Sequence, residues 1–162
     1  MPTRIIAFIP LTLVALVAVA AELILTFDSY GPVVFGTRLS DVEKKLGEKA
    51  ERETGEPACN YLTFKRYPNV TFMVENGFIT RADVGKDVPN AFGIKIGTSL
   101  ADVKKRFPNV IVEPHQYDPK GHYLILKNAD RKKAIVMEEG DGKVTDVRGG
   151  LIPSAQYVEG CQ

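Results

Sequence analysis

Apolar residues recur at helical spacing in two separated stretches of the chain, residues 36–46 and 97–107. Each stretch places leucine, valine and a third large apolar residue at positions i, i+3 and i+7, which predicts a short helix with one apolar stripe. Helices of so few turns are unstable alone, because nucleation costs more than their hydrogen bonds return. Each helix must therefore lie on an apolar surface that neighbouring segments provide.

The two stretches are also similar in sequence. They share glycine, threonine, leucine, aspartate, valine and lysine in the same order and spacing. Thr37 and Thr98 are predicted to cap the helix N-termini, and Gly47 and Pro108 are predicted to end the helices. An internal repeat of this kind predicts that one unit is built twice.

Strand patterns follow each predicted helix. Asn76-Gly77 and Asp141-Gly142 are hairpin-turn signals between runs that suit a half-buried sheet. Residues 92–96 are predicted to form a short strand before the second helix, and the polar residues 49–57 are predicted to form a loop. The predicted fold class is α+β: two tandem units of a short helix packed on an antiparallel β-meander, forming one domain. The opposite sheet face is left for solvent or a partner.

The N-terminus predicts export. Arg4 precedes an uncharged apolar run over residues 5–21, and Ala18-Val19-Ala20 matches the small-x-small pattern before a signal-peptide cleavage site. A retained membrane anchor is the alternative, because the run is near the shortest length that spans a bilayer. The predicted organisation is a signal peptide at 1–21, a first repeat at 22–86, a second repeat at 87–150 and a C-terminal tail at 151–162. The expected location is periplasmic or secreted.

The charges of the chain nearly balance, with 21 basic and 20 acidic residues. Removing the predicted signal peptide removes Arg4 and leaves a net charge near zero. A nucleic-acid-binding protein is expected to carry a basic excess on one face, so the balance argues against nucleic acid as a partner. Contact with a membrane is expected only through an uncleaved signal segment.

Two cysteines occur, Cys59 and Cys161. In an exported chain an even pair is interpreted first as a disulfide, because the space outside the cytoplasm is oxidising. Such a bridge would tie the first repeat to the C-terminal tail. A reactive thiol is the alternative, but no histidine lies near either cysteine in sequence.

The repeated helix motif, followed by a meander, resembles a known group of exported proteins. Residues 31–150 are similar to the β-lactamase-inhibitory-protein fold, and the single unit is similar to the outer-membrane assembly lipoprotein of the SmpA/OmlA type. The resemblance implies a protein that binds other proteins. The chain departs from the lipoprotein by lacking a cysteine after the apolar run. It departs from the inhibitor because its one predicted disulfide crosses the halves, where one within each repeat is expected.

The densest polar cluster is residues 115–123, which has no counterpart in the first half. Because function concentrates on loops, this turn is predicted to present side chains to a partner; the candidates are His115, Tyr117, Asp118, His122 and Tyr123. A divalent metal held by His115, Asp118 and His122 is the alternative, although their spacing matches no established metal motif. A purely structural loop is the third interpretation, since Asp118 and Gly121 are ordinary turn residues.

No catalytic pattern stands out. No serine lies in a Gly-x-Ser-x-Gly context, and the carboxylates of Glu138, Glu139 and Asp141 are interpreted as a solvated hairpin tip. We therefore expect a non-enzymatic exported protein-binding module without cofactor or metal, such as an inhibitor or an envelope-assembly accessory. Its expected partner is an envelope or secreted protein. The alternative is a periplasmic metal- or small-ligand-binding protein that uses the loop from His115 to His122.

Overall fold

The computed structural model of the chain describes residues 23–56 and 58–161. The predicted signal peptide at residues 1–21 lies outside the described residues. Within the two described ranges, no helix is long and apolar enough to cross a membrane.

The described residues form short helices and mostly antiparallel strands. In chain order the elements are β1 (Ser29–Tyr30), β2 (Val33–Val34), α1 (Leu39–Leu46), β3 (Glu51–Glu56), β4 (Cys59–Thr63), β5 (Val70–Glu75), β6 (Phe78–Val84), α2 (Leu100–Arg106), β7 (Ile111–Pro114), β8 (His122–Lys127), β9 (Lys133–Gly140) and β10 (Lys143–Leu151). A single 3-10 turn, Ser154–Gln156, follows β10.

The larger sheet has eight strands in the order β3-β4-β5-β6-β10-β9-β8-β7. Its centre is the antiparallel pair of β6 and β10, in which Val84 lies opposite Val147 and Arg81 lies opposite Gly150. The prediction of two tandem helix-on-meander units in an α+β fold is therefore wrong. The pairing of β6 with β10 joins the strands into one continuous sheet, and the protein is mainly β.

One hydrophobic core lies beneath both helices. α1 contributes Val42 and Leu46, and α2 contributes Val103, to a single cluster of buried side chains that extends along the sheet from Leu62 to Val147. Because the cluster is continuous across the β6–β10 pair, the two helices share one core on this face of the sheet.

The helix starts differ by one residue from the prediction. The N-caps are Arg38, which makes no side-chain capping bond, and Ser99, whose Oγ accepts a hydrogen bond from the Asp102 amide at 3.0 Å. The Thr98 hydroxyl instead accepts from the amide of Lys95 in the preceding turn. Gly47 ends α1 in the left-handed conformation, as predicted.

Two strand predictions are also wrong. β3 occupies most of the segment predicted to be a loop, and its charged residues Glu51, Arg52, Glu53 and Glu56 are exposed. An edge strand exposed on both faces needs no apolar alternation, and charge at an edge opposes pairing with other chains. Residues 92–96 form turns and irregular backbone where a strand was predicted.

Two β-bulges decide which side chains of the central strands face the core. The pairing register shifts by one residue at Thr80 in β6 and at Thr145 in β10. After each bulge, the residues that simple alternation would direct into the core lie on the opposite face. Arg81 and Arg148 are the side chains moved in this way.

The glycine pair in β10 allows close packing at the sheet centre. A Cβ atom on Gly150 would lie 2.2 Å from the carbonyl oxygen of Thr80, and one on Gly149 would lie 2.6 Å from the Ile135 side chain. The bulge at Thr80 brings backbone into the space that a side chain at position 150 would occupy. Gly150 is therefore required by the β6–β10 pair.

We predict that Gly150→Ala lowers the free energy of unfolding by about 1–3 kcal/mol, the usual cost of overpacking, because the new methyl group meets backbone that cannot rotate away. Gly140→Ala is the matched control in a strand: its Cβ would lie 3.5 Å from the Asp118 carboxylate, an ordinary van der Waals distance, and we expect a change of less than about 0.5 kcal/mol. Urea unfolding measures both, and equal losses would contradict the prediction.

Candidate functional site

The C-terminal tail, residues 152–161, crosses the sheet face that lies opposite the helices. Ile152, Ala155 and Val158 of the tail pack with a second, smaller hydrophobic cluster on that face; its sheet members are Tyr123, Ile125, Ala134 and Val136. The face that the sequence left for solvent or a partner is therefore partly covered by the chain itself.

The predicted Cys59–Cys161 disulfide is present and holds the end of the tail. The two Cα atoms are 5.3 Å apart, although the cysteines are separated by 102 residues in sequence. Gly160 precedes the bridge with φ +70°, and a Cβ atom there would lie 2.0 Å from the Tyr61 hydroxyl. Only glycine suits this position, because both the backbone conformation and the contact with Tyr61 exclude a side chain.

Two buried arginines hold the middle of the tail. Arg81 on β6 donates from Nε and Nη2 to the carboxylate of Asp83 at 2.5–3.0 Å, and from Nη1 to the carbonyl oxygen of Tyr157 at 3.0 Å. Its guanidinium also lies over the Tyr61 ring, 6.0 Å from the centroid. A buried guanidinium needs several acceptors, and the tail carbonyl supplies one that the sheet lacks.

Arg148 on β10 makes an equivalent contact with the tail, two residues before Tyr157. Its Nε donates to the carbonyl oxygen of Ala155 at 3.0 Å, and its Nη1 donates to Glu138 on β9. Nη2 is buried without a hydrogen-bond partner among the residues that the structure describes. The tail is thus fixed by carbonyl contacts at positions 155 and 157, and by the Ser154 hydroxyl, which donates to Glu75.

Acidic residues beside these arginines have shifted pKa values. Desolvation, followed by repulsion from Asp83, raises the pKa of Asp146 from 3.8 to about 6, and Arg148 opposes the shift. Asp146 nevertheless keeps 44% of its side chain exposed and lies 3.8 Å from Arg148 Nη1. Burial also acts to raise the pKa of Glu138. The hydrogen bonds and charges of Arg148 and His115 act in the opposite direction and are stronger together, so the pKa of Glu138 is lowered.

His115 links the loop after β7 to this charged group. Its Nδ1 accepts hydrogen bonds from the amides of Tyr117 and Asp118, both at 3.1 Å, so the proton of the neutral ring is on Nε2, 3.5 Å from Glu138. The imidazole stacks on Tyr123 with ring centroids 4.5 Å apart. His115 therefore shapes the loop from inside and leaves Tyr117 exposed.

His122 belongs to a different environment. Its Nδ1 lies 2.6 Å from Glu139, which is 2% exposed and also accepts from the Gly142 amide. Glu138 and Glu139 thus engage partners on opposite sheet faces. The interpretation as a solvated hairpin tip is wrong for these two carboxylates, whereas Asp141 is exposed in the turn between β9 and β10. Among the described residues, no three His, Cys, Asp or Glu side chains are placed to hold a metal ion. The metal alternative gains no support from this arrangement of His115, Asp118 and His122.

A cleft of about 560 Å³ opens between the 115–121 loop and the tail. Gln116 lines one side, Tyr157 and Glu159 line the other, and Glu75 and the disulfide also contribute to the lining. Tyr117 is 64% exposed beside Gln116, whose Nε2 donates to the Tyr117 hydroxyl at 3.2 Å. The cleft combines walls fixed by covalent and buried contacts with exposed tyrosines at its edge.

The predicted candidate residues therefore separate into two groups. His115, Tyr117 and Tyr123 lie together on the cleft side, with Tyr123 buried under the tail and its hydroxyl accepting from the Gln116 amide at 3.4 Å. Asp118 shapes its own turn by accepting from the Lys120 amide, and His122 engages Glu139. Neither Asp118 nor His122 is among the residues that line the cleft.

Arg81 and Arg148 were not singled out from the sequence. Strict alternation from Val144 would direct Arg148 into the core, and only the bulge at Thr145 moves it to the tail face. The sequence did contain a signal for these residues: each arginine lies within an apolar strand pattern, and a buried cation must find a partner or leave the core.

No protein-family model matches the chain, and no curated protein sequence matches it. Among solved structures, the chain is similar to one from Bacillus anthracis described as an extracellular protein containing a SCP domain, with 15% identity, a TM-score of 0.51, and coverage of 93% of this chain and 54% of that chain. A second, from Staphylococcus aureus, is described as a cysteine-rich secretory protein, with 18% identity, a TM-score of 0.48, and coverage of 79% and 48%. The chain spans about half the length of each.

The likeness to the Bacillus anthracis structure shows a shared fold alone, because the identity is so low. It also corrects the family resemblance drawn from the repeated helix motif. The matching fold is neither that of β-lactamase-inhibitory protein nor that of the SmpA/OmlA lipoprotein. A short helix motif with a capping turn recurs in unrelated folds, so it did not identify the family.

We predict that lowering the pH from about 7 to about 5 stabilises the protein through Asp146. Its folded pKa of about 6 exceeds the unfolded value of about 3.9, so the folded state holds the proton more tightly and gains stability as Asp146 protonates. The pKa of Glu138 is lowered, so protonation of Glu138 destabilises the folded state. This loss occurs only at pH values more acidic than this range.

The test compares urea unfolding of the wild type, Asp146→Asn and Asp87→Asn across this pH range. The gain on acidification should be smaller in Asp146→Asn and unchanged in Asp87→Asn, which alters an exposed loop carboxylate three residues after β6 that is not among the main charges acting on Asp146. Other groups facing Asp146 (Asp83, Glu138, Arg81 and Arg148) are common to all three proteins. Identical pH dependences would refute the assignment.

We predict that the double variant Cys59→Ser/Cys161→Ser loses about 4–5 kcal/mol of unfolding free energy, the chain-entropy value for a loop of this length. Its tail amides, residues 152–161, should exchange with deuterium much faster, while those of β6 and β10 stay protected. The reduced wild-type protein serves as the control and should behave like the variant. Unchanged tail protection would show that the arginine contacts suffice without the bridge.

Proposed function

We propose that this chain is an exported, non-catalytic protein-binding module that receives its partner at the cleft between the 115–121 loop and the tail. The observation that carries the proposal is a pair of exposed tyrosines at a cleft whose walls are held in place: Tyr157 lines the cleft, and Tyr117 is hydrogen-bonded to the lining residue Gln116. Tyrosine gives a large contact area at low cost in conformational entropy, and it is enriched among residues that dominate binding energy.

The rigidity of the cleft supports the proposal. The tail is held by a disulfide and by buried arginine contacts. The opposite loop is held by His115 Nδ1, which accepts hydrogen bonds from the amides of Tyr117 and Asp118. A surface that is already ordered loses little entropy when a partner binds. A tyrosine presented in this way therefore contributes more of its contact energy to affinity.

Three observations support export. The apolar run at residues 5–21 precedes a small-x-small pattern, the disulfide is typical of oxidising compartments, and the Bacillus anthracis structure is described as extracellular. The proposed partner is accordingly an envelope or secreted protein, and the location is periplasmic or secreted.

The placement of both histidines favours binding over catalysis. His115 directs Nδ1 to backbone amides and Nε2 to Glu138, and His122 is paired with the buried Glu139. Each imidazole is thus engaged in holding a loop or hairpin. A general base would instead be expected within reach of a nucleophile or substrate in an open site.

Photo-crosslinking in the native host tests the proposal. With p-benzoylphenylalanine at position 117 or 157, we expect an adduct of the same partner protein from both positions. The same group at position 104, an exposed lysine on α2, is the control and should give none. In pull-down, Tyr117→Ala/Tyr157→Ala should weaken capture by about tenfold or more at unchanged thermal stability. Absence of an adduct at 117 and 157, or equal adducts at 104, would refute the proposed site.

A further inference from the structure

We infer that the cleft recognises a basic segment of the partner, with an arginine or lysine side chain seated between Tyr157 and the cleft carboxylates. The inference rests on the proposed function, because it names the chemistry of the partner at that same site. It follows from the charges that line the cleft, from the position of the tyrosines and from the way the nearby arginines are already paired.

The charged side chains in the lining are all acidic. Glu75 and Glu159 contribute carboxylates, and the lining contains no lysine, arginine or histidine. Glu56, the exposed residue opposite Cys59 in β3, places a third carboxylate next to the disulfide. The local charge is therefore negative, although the chain as a whole carries a formal net charge of only +1.

The arginines beneath the cleft do not neutralise these carboxylates. Arg81 directs its hydrogen bonds to Asp83 and to the Tyr157 carbonyl, and Arg148 directs its own to Glu138 and the Ala155 carbonyl. Glu75 is oriented by the Ser154 hydroxyl, a neutral donor that leaves its charge available. A cation from outside the chain is the complement that this lining lacks.

The tyrosines add a second attraction for the same group. Tyr157 lines the cleft and is 37% exposed, and Tyr117 stands beside Gln116 at the opposite edge. The face of an aromatic ring carries negative potential and attracts ammonium and guanidinium groups. Side-chain oxygens of Gln116 and Gln156, which also line the cleft, can accept hydrogen bonds from a guanidinium, which offers five donors.

This chemistry favours a protein segment that carries a side-chain cation. The cleft, at about 560 Å³, lies within the size range of small-ligand sites, which is enough for one long side chain. A long side chain entering it would lay its methylene groups along Val158 and the disulfide while its charge reached Glu159. An acidic or neutral segment would leave these carboxylates desolvated without a partner, which costs affinity.

The test is an NMR titration of the oxidised protein with acetyl-Gly-Arg-Arg-Gly-amide as the probe. The amides of Gln116, Tyr157 and Glu159 should shift with saturable binding. The citrulline peptide of the same length, which keeps the shape and loses the charge, should bind about tenfold more weakly, and raising NaCl from about 50 to about 300 mM should weaken the arginine peptide.

Matched variants locate the charge. Glu159→Gln should weaken the arginine peptide about threefold, as expected for a partly exposed ion pair, whereas Asp87→Asn, an equal charge change at the far end of the sheet, should leave it unchanged. Tyr157→Leu should also weaken binding about threefold through loss of the ring face. Equal affinity for the citrulline peptide, or equal effects of Glu159→Gln and Asp87→Asn, would overturn the inference.

The two proposals fail separately. Crosslinks from positions 117 and 157 without charge selectivity in the titration would keep the binding site and remove the basic segment. A titration that moves amides on α1 or α2 in place of those at the cleft would also remove the basic segment. Absence of crosslinks would refute the binding site itself, whatever the peptides do.

Discussion

The antiparallel pairing of β6 with β10 is the constraint on which the rest of the structure depends. It joins four strands on each side into one sheet, and it requires Gly150 to lie without a side chain against the backbone of Thr80. Because both strands carry a bulge beside this pair, their arginines lie on the face away from the helices. The single core on one face and the charged group on the other both follow from this geometry.

The buried arginines explain why the tail has a defined path. Each guanidinium is paired with a carboxylate of the sheet, and each also donates to one tail carbonyl. Buried ion pairs contribute little net stability against apolar replacements, but breaking one leaves an uncompensated charge. A shifted tail would remove acceptors from both guanidinium groups at once. We therefore interpret Arg81 and Arg148 as residues that specify the position of the tail.

The cleft results from two rigid edges that come from distant parts of the chain. The 115–121 loop is shaped by His115, which is stacked on Tyr123, and the tail is shaped by the arginines and the disulfide. The disulfide and the Glu75–Ser154 hydrogen bond support the tail from within the lining, but the side chains of Tyr157 and Glu159 take no part in these contacts and are available for a partner. This separation of supporting contacts from exposed contacts is typical of preorganised binding sites.

Local signals in the sequence determined the features that depend on near neighbours. The apolar stripes of the two helices, the αL end at Gly47 and the turns at Asn76-Gly77 and Asp141-Gly142 lie where the pattern predicted them. The disulfide was also predictable, because an exported chain with two cysteines has only one way to pair them. These features follow from backbone preference, capping and cysteine count, which need no tertiary contact.

Tertiary structure alone decided the remaining features. β3 is an edge strand without an apolar face, so no alternation could reveal it. The repeated helix motif suggested two units, but strand pairing across the centre made one sheet, which the motif does not encode. The bulges at Thr80 and Thr145 reversed the faces of Arg81 and Arg148, and with them decided the path of the tail and the position of the cleft. A bulge depends on the fit between paired strands, and that fit exists only after distant segments have met.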